Sequence, residues 1–312
     1  MSAASTPTPE WRRRAERGSL PLARFMAWLS MAVGRTASRG LLRLIALYFF
    51  ATGAAARRSA RAFLHRALGR APSLAEQYRL FFHFAATIHD RVYLLRGRFD
   101  LFEIEVHGAE HLEGGGALLM GGHLGSFEAL RACGRHLGQR RVAMAMFGAL
   151  AQRLTGVLAA IDPSATRDIV ALGRADSMLE LGARLDEGAL VGILADRTLG
   201  DEPTLAVPFL GAPAAFPTGP MRIAAALRQR VIFMCGLYRG GNRYEIHFEP
   251  LADFAGLEGL TRGERERRVD EAIAAYAARL ERFARFAPDN WFNFHDFWAA
   301  APSRCGNADE RG

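Results

Sequence analysis

Residues 114–123, GGGALLMGGH, constrain the fold more than any other stretch of this 312-residue chain. Glycines on both sides confine the apolar run Ala117-Leu118-Leu119-Met120 to a strand of about five residues. A strand that short, apolar on both faces, does not suit a surface. It suits the middle of a parallel sheet covered on both sides. The next segment, GSFEALRACGRHL, places apolar residues at Leu130, Cys133 and Leu137, which predicts a helix with Ser126 near its start. His123 is therefore expected at the carboxyl end of a strand, just before a helix. Open α/β sheets place their sites there.

The alternation continues along the chain. FDLFEIEVHG alternates apolar and polar residues and reads as a strand. RRVAMAMF, DIVALG and ALVGILAD are further apolar strands, and AQRLTGVLAAI and DSMLELGARLDEG are helices, the second ended by Gly188. After LAVPFLG a helix is expected over 218–227. VIFMCGLYRG and RYEIHFEPL predict a hairpin across a GGN turn. A last amphipathic helix spans Arg262–Phe286 and stops before Pro288. The fold class expected is α/β, with a mixed, mostly parallel central sheet flanked by helices.

Charge separates the two ends of the chain. The 40 basic residues are all arginine, and against 32 acids they leave a net +8. Residues 1–72 hold 13 arginines against Glu10 and Glu16, a net +11, and the remainder holds 27 arginines against 30 acids, a net −3. A basic arm on a near-neutral body implies an anionic partner. Within residues 41–56, Arg43 is the one charge, but 16 residues fall short of the roughly 20 that cross a bilayer. No convincing cleavage site follows, so no signal peptide is expected. At 100° per residue Arg24, Arg35, Arg39, Arg43, Arg57 and Arg61 share one stripe, beside a face with Met26, Leu29, Leu44, Leu47 and Tyr48. A basic stripe beside an apolar face describes a helix lying in an anionic membrane surface. A tilted span with a snorkelling Arg43, or a core helix with a solvated face, are the alternatives. Nucleic acid is disfavoured as the partner, because the apolar face would then have no role. The expected organisation is a membrane-associating helical region over 1–98 and an α/β domain over 99–312.

Ser73 with Glu76 forms a capping box that opens a helix over 73–98. Its His83 and His89 read as packing or solvated residues. The three cysteines form no CxxC pair, so neither a zinc ribbon nor a disulfide framework is supported. No metal and no cofactor is implied.

The chemistry-bearing candidate is His123-Leu-Gly-Ser-Phe-Glu128. A carboxylate five residues after the histidine can fold back on the ring, fix its tautomer and make the other nitrogen a better base. Glycines at 121, 122 and 125 let backbone and substrate approach.

GGHLGSFEAL resembles the H-x4-[DE] motif of the lipid A biosynthesis acyltransferase family, the lauroyl/myristoyl-type enzymes. GILADRTLG with VPFLGAPAAFPTGP resembles its second stretch, and APDNWFNFHDFW its aromatic segment near the end. The basic arm fits the family's membrane anchor. The three motifs lie in order over about residues 20–298. The resemblance implies transfer of a fatty acyl chain from an acyl carrier protein thioester, or from acyl-CoA, to a hydroxyl of a membrane glycolipid, at the cytoplasmic face of the inner membrane. It implies His123 as general base and Glu128 as its orienting carboxylate, with Gly125 and Ser126 backbone N–H groups as oxyanion donors. Asp196 matches the aspartate of the second stretch and is expected, like Arg197, among the substrate-binding residues rather than beside the histidine ring. Arg197 and Arg167 are the candidates for a substrate phosphate, with Arg174 competing for the latter role. Phe127, Phe147, Leu150, Phe209 and Phe216 are candidates for an acyl groove. Two departures stand out. No Phe-Pro-Glu-Gly block of the glycerophospholipid acyltransferases is present, and Gly122 replaces the family's Asn or Ser before the histidine. A lipid esterase using the same dyad on water, and a non-catalytic lipid carrier, are the competing readings.

Overall fold

The computed structural model describes residues 20–129, 140–147, 167–174, 176–198, 202–299 and 304–305. The helices expected over 126–137 and 151–161 lie largely outside the described residues, as do Leu150 and the side chains of Arg24, Trp28 and Phe147.

Seven strands form the main sheet: β1 (Glu103–His107), β2 (Ala117–Gly121), β3 (Val142–Phe147), β4 (Ile169–Leu172), β5 (Leu190–Leu194), β8 (Arg230–Tyr238) and β9 (Arg243–Asp253). Their order is β1-β9-β8-β2-β5-β3-β4. Every neighbouring pair is parallel except β8 with β9, the hairpin across Gly240 and Gly241. β2 is central and wholly buried. Its side chains alternate, as a strand's must. Leu118 and Met120 enter one apolar cluster with Leu181 and Leu280, and Ala117 and Leu119 enter another with Leu42, Ala86 and Leu94. β1, at the edge, keeps the polar alternation that its sequence announces.

The helices are α1 (Leu20–Thr52), α2 (Ala54–Leu68), α3 (Leu74–Leu95), α4 (Ser177–Asp186), α5 (Gly219–Ala226) and α6 (Arg262–Phe286). α3 opens on the Ser73–Glu76 capping box, and α6 on a second one between Thr261 and Glu264. These reciprocal hydrogen bonds satisfy the first orphan N–H groups of each helix, so both starts are local properties of the sequence.

One element differs from expectation. Residues 204–217 form an antiparallel hairpin, β6 (Thr204–Phe209) and β7 (Ala212–Pro217), extended by β10 (Arg304–Cys305). Pro208, Pro213 and Pro217 speak against strands there. Leu210 and Gly211 both have positive φ, +50° and +79°, which makes the primed turn that a two-residue hairpin requires. Leucine is an unusual residue for that conformation. Its N–H donates to Glu281 Oε2 of α6 at 2.6 Å, a tertiary contact absent from any local pattern.

The arm also differs. α1 is kinked at Gly34 (φ +80°), and α2 leaves it at 93° across Gly53, so one helical phase does not run from Arg24 to Arg61. Arg35 turns inward and clasps the fully buried Asp90 of α3 with two hydrogen bonds of 2.8 Å; Arg39 approaches the same carboxylate at 3.6 Å. The outward residues include Leu41, Leu44, Leu47, Tyr48 and Phe49. Part of the basic stripe thus faces protein, and the apolar face looks out. No single described helix is long and apolar enough to cross a membrane; Ala32–Thr52 and Ala54–Leu68 together reach that length and composition, but bent by 93°.

Candidate active site

Strand register brings the two decisive residues together. Gly121 of β2 lies opposite Leu194 of β5, and two residues further on His123 lies opposite Asp196. His123 Nδ1 is 2.7 Å from Asp196 Oδ1, and the His123 backbone N–H donates to Asp196 Oδ2 at 2.8 Å. The Trp291 indole N–H donates to the same oxygen at 3.0 Å. Asp196 is 1% exposed. Its burial would raise its pKa, but the imidazole and Arg197 outweigh burial and hold it below the usual carboxylate range. It therefore stays an acceptor. Nδ1–H is the donor, and Nε2 keeps its lone pair.

The His123 loop is clamped on both sides. Leu124 bridges Trp291, and the His123 carbonyl accepts from Phe292 N–H at 2.8 Å. Gly125, at φ +74°, bridges Gly236 of β8 so closely that a Cβ there would collide with the Gly236 carbonyl oxygen. Gly122 has its own neighbours. A Cβ would lie 3.1 Å from the Tyr276 hydroxyl and 3.2 Å from the Asp196 carboxyl carbon. That hydroxyl donates to the Gly121 carbonyl at 2.7 Å.

Sequence expectation and geometry part at several places, the first being Asp196, expected at the substrate and found on the His123 ring. Glu128 does not hold the ring. It is 4% exposed and pairs with Arg91 of α3 at 2.7 Å, because the turn at Gly125 and the Ser126 N–H bond to Gly236 direct residues 126–129 toward α3. The Gly125 and Ser126 N–H groups, expected as oxyanion donors, donate to the Asn290 and Gly236 carbonyls at 2.8 and 2.7 Å. Arg167 does not approach. Register puts it level with Ala117, about 20 Å before His123 along the sheet and three strands across, about 14 Å. Arg174 pairs with Asp176 at the surface. Arg197 is beside the site and donates to the Phe292 carbonyl at 2.7 Å. Phe209 and Phe216 are fully buried core residues, and the aromatic segment from Trp291 to Trp298 packs around them. His83 and His89 are packed, on Tyr238 and on the Ser38 hydroxyl.

A pocket of about 220 Å³ opens over His123. Phe84, Ile88, Phe127, Leu194, Phe292 and Phe294 supply apolar wall, and Arg91, Glu128, Arg197 and His295 the polar groups. Burial and the cations Arg197 and Arg91 push the His123 pKa below its ordinary value, against the pull of Asp196. A neutral imidazole facing an apolar wall can accept the proton of a hydroxyl.

Residues 15–300 match the model of the bacterial lipid A biosynthesis acyltransferases. The chain belongs to that family. It is an acyltransferase whose acceptor is a lipid. No curated protein matches the chain. Among solved structures it is similar to the 1-acyl-sn-glycerophosphate (LPA) acyltransferase PlsC from Thermotoga maritima, at 16% identity and a TM-score of 0.38, covering 80% of this chain and 98% of that one.

Sequence reading did not single out Arg91, which lines the pocket and pairs with Glu128. Its signal was its place after Phe84 and Ile88, at i, i+4 and i+7 on one helical face.

Proposed function

We propose that the protein moves a fatty acyl chain from an acyl carrier protein thioester, or from acyl-CoA, onto a hydroxyl of a lipid A-like glycolipid. The observation that carries this reading is the 2.7 Å His123–Asp196 contact on the floor of an apolar, arginine-flanked pocket. His123 Nε2 takes the hydroxyl proton as the oxygen attacks the thioester carbonyl. Asp196 steadies the imidazolium that forms. The tetrahedral oxyanion collapses, the C–S bond breaks, and the imidazolium returns its proton to the leaving thiolate. Arg197 is the favoured cation for the oxyanion or a substrate phosphate, since the Gly125 and Ser126 N–H groups are engaged elsewhere. Glu128 sits in the pocket as the partner of Arg91.

The outward apolar face of α1 supports a place at the cytoplasmic side of the inner membrane, held peripherally or by the bent α1–α2 pair. An anionic surface would engage the exposed Arg43, Arg58 and Arg61. The test is incubation of the purified protein with acyl-carrier thioester and glycolipid, followed by mass spectrometry of the lipids. Acylated lipid without free fatty acid is expected. Free fatty acid alone would make the protein a hydrolase, and no turnover of either kind would leave a lipid carrier.

A further inference from the structure

Two carboxylates reach the site, and they are not equivalent. Asp196 meets the imidazole. Glu128, on the other side of the pocket, meets Arg91 at 2.7 Å, with side chains 6% and 25% exposed. A carboxylate that buried is costly unless a cation accompanies it. Arg91 comes from α3, a helix that the sequence places outside the sheet region, and it reaches across to a residue five after the histidine.

We propose that Arg91 is a positioning residue: its ion pair keeps Glu128 off the imidazole, leaves Nδ1 to Asp196 alone, and presents His123 with a compensated pair instead of a bare charge. The inference rests on the acyl-transfer reading only for its consequence in turnover. The ionisable groups around His123 are Asp196 and Arg197 after β5, Arg91 of α3, Glu128 of its own loop, Tyr276 of α6 and His295 of the last segment. Of these, Arg91 and Glu128 are an opposite pair whose members can be removed singly or together. Removing Arg91 takes away a cation and bares an anion, and both changes favour the imidazolium. Removing Glu128 bares a cation and opposes it.

The experiment is a pH titration of the His123 side chain by NMR in the full-length protein in detergent, with the signal assigned by loss in His123→Gln. Arg91→Met is expected to raise the His123 pKa by about one unit, and Glu128→Gln to lower it by a smaller amount. Arg91→Lys and the double variant Arg91→Met/Glu128→Gln are expected to stay close to the parent. If Arg91→Met fails to fold, the lowered pKa of Glu128→Gln against the parent-like value of Arg91→Lys still decides. A His123 pKa that is the same in Glu128→Gln as in the parent, or a double variant shifted as far as Arg91→Met, overturns the proposal. The titration needs no substrate. Expected shifts without acyl transfer would count against the enzymatic reading and not against the role of Arg91.

Discussion

His123 and Asp196 are 73 positions apart in the chain and stand opposite each other where two adjacent parallel strands end, Nδ1 to Oδ1 at 2.7 Å. Asp196→Asn keeps the shape but loses the charge and can present the wrong hydrogen-bonding face to Nδ1. We expect acyl transfer to fall by about 100-fold or more, with little change in donor KM. His123→Ala should abolish it to background. Steady-state kinetics with a thioester donor checks both.

Trp291 fixes the second oxygen of Asp196. Trp291→Phe removes that N–H while keeping most of the apolar volume, and a hydrogen bond to a charged group is worth about 1.5–3 kcal/mol. The expected result is a kcat reduction of about tenfold with an intact fold by circular dichroism. An unchanged kcat would show that the backbone N–H of His123 suffices.

The pH behaviour follows from the same site. Burial, first, and then Arg197 lower the His123 pKa, so the acidic limb of kcat/KM should have its midpoint below the ordinary imidazole value of about 6.5. Stability has the same sign. The folded chain holds His123, His83 and His247 neutral to lower pH than the unfolded chain does, so the unfolded state binds protons first. The stability present above about pH 6.5 is then lost as pH falls. Asp196, depressed in the folded state, adds a contribution present above the unfolded value of about 3.9 and lost at lower pH still. Thermal melts between pH 8 and 2 check this.

Asp90 is wholly buried and held by Arg35, Arg39 and the Tyr244 hydroxyl at 2.9 Å. Breaking a buried pair by removing one partner costs about 3–5 kcal/mol, because the other charge is stranded. Arg35→Met is expected to destabilise the protein by that amount in urea titration. Asp90→Asn/Arg35→Met should recover part of it. The arm is thus a structural member of the fold, and deletion of residues 1–40 should lower stability at least as far as Arg35→Met does.

Membrane binding should depend more on apolar area than on charge. Leu44 and Leu47 are 64% and 51% exposed, while Arg35 and Arg39 are engaged internally. Burying a leucine is worth about 1.5–3 kcal/mol, and 1.4 kcal/mol is tenfold. Leu44→Glu and Leu47→Glu should each reduce partitioning into anionic vesicles by about tenfold or more. Raised salt should reduce it less.

Local signals were legible in the sequence. The Ser73–Glu76 capping box opens α3, and the pattern over Arg262–Phe286 marks the last helix, because caps and amphipathic stripes act over a few residues. The glycine-bounded apolar run is the buried central strand. The β6–β7 hairpin was not legible, since its turn is Leu-Gly and its support, Glu281, lies 71 positions away. The arginine stripe misled in part, because a single helical phase does not survive the breaks at Gly34 and Gly53.

The sequence by itself determined that a histidine would stand at the carboxyl end of a central parallel strand, since glycine spacing and apolar runs settle strand length and burial. It also carried the motifs that mark the lipid A acyltransferase family. The tertiary structure decided which carboxylate the histidine would meet. Chain proximity favoured Glu128, but the pairing of β2 with β5 sets Asp196 level with His123, and the turn at Gly125 sends Glu128 to Arg91. Strand register is a property of hydrogen bonding between segments far apart in the chain, and no local spacing encodes it.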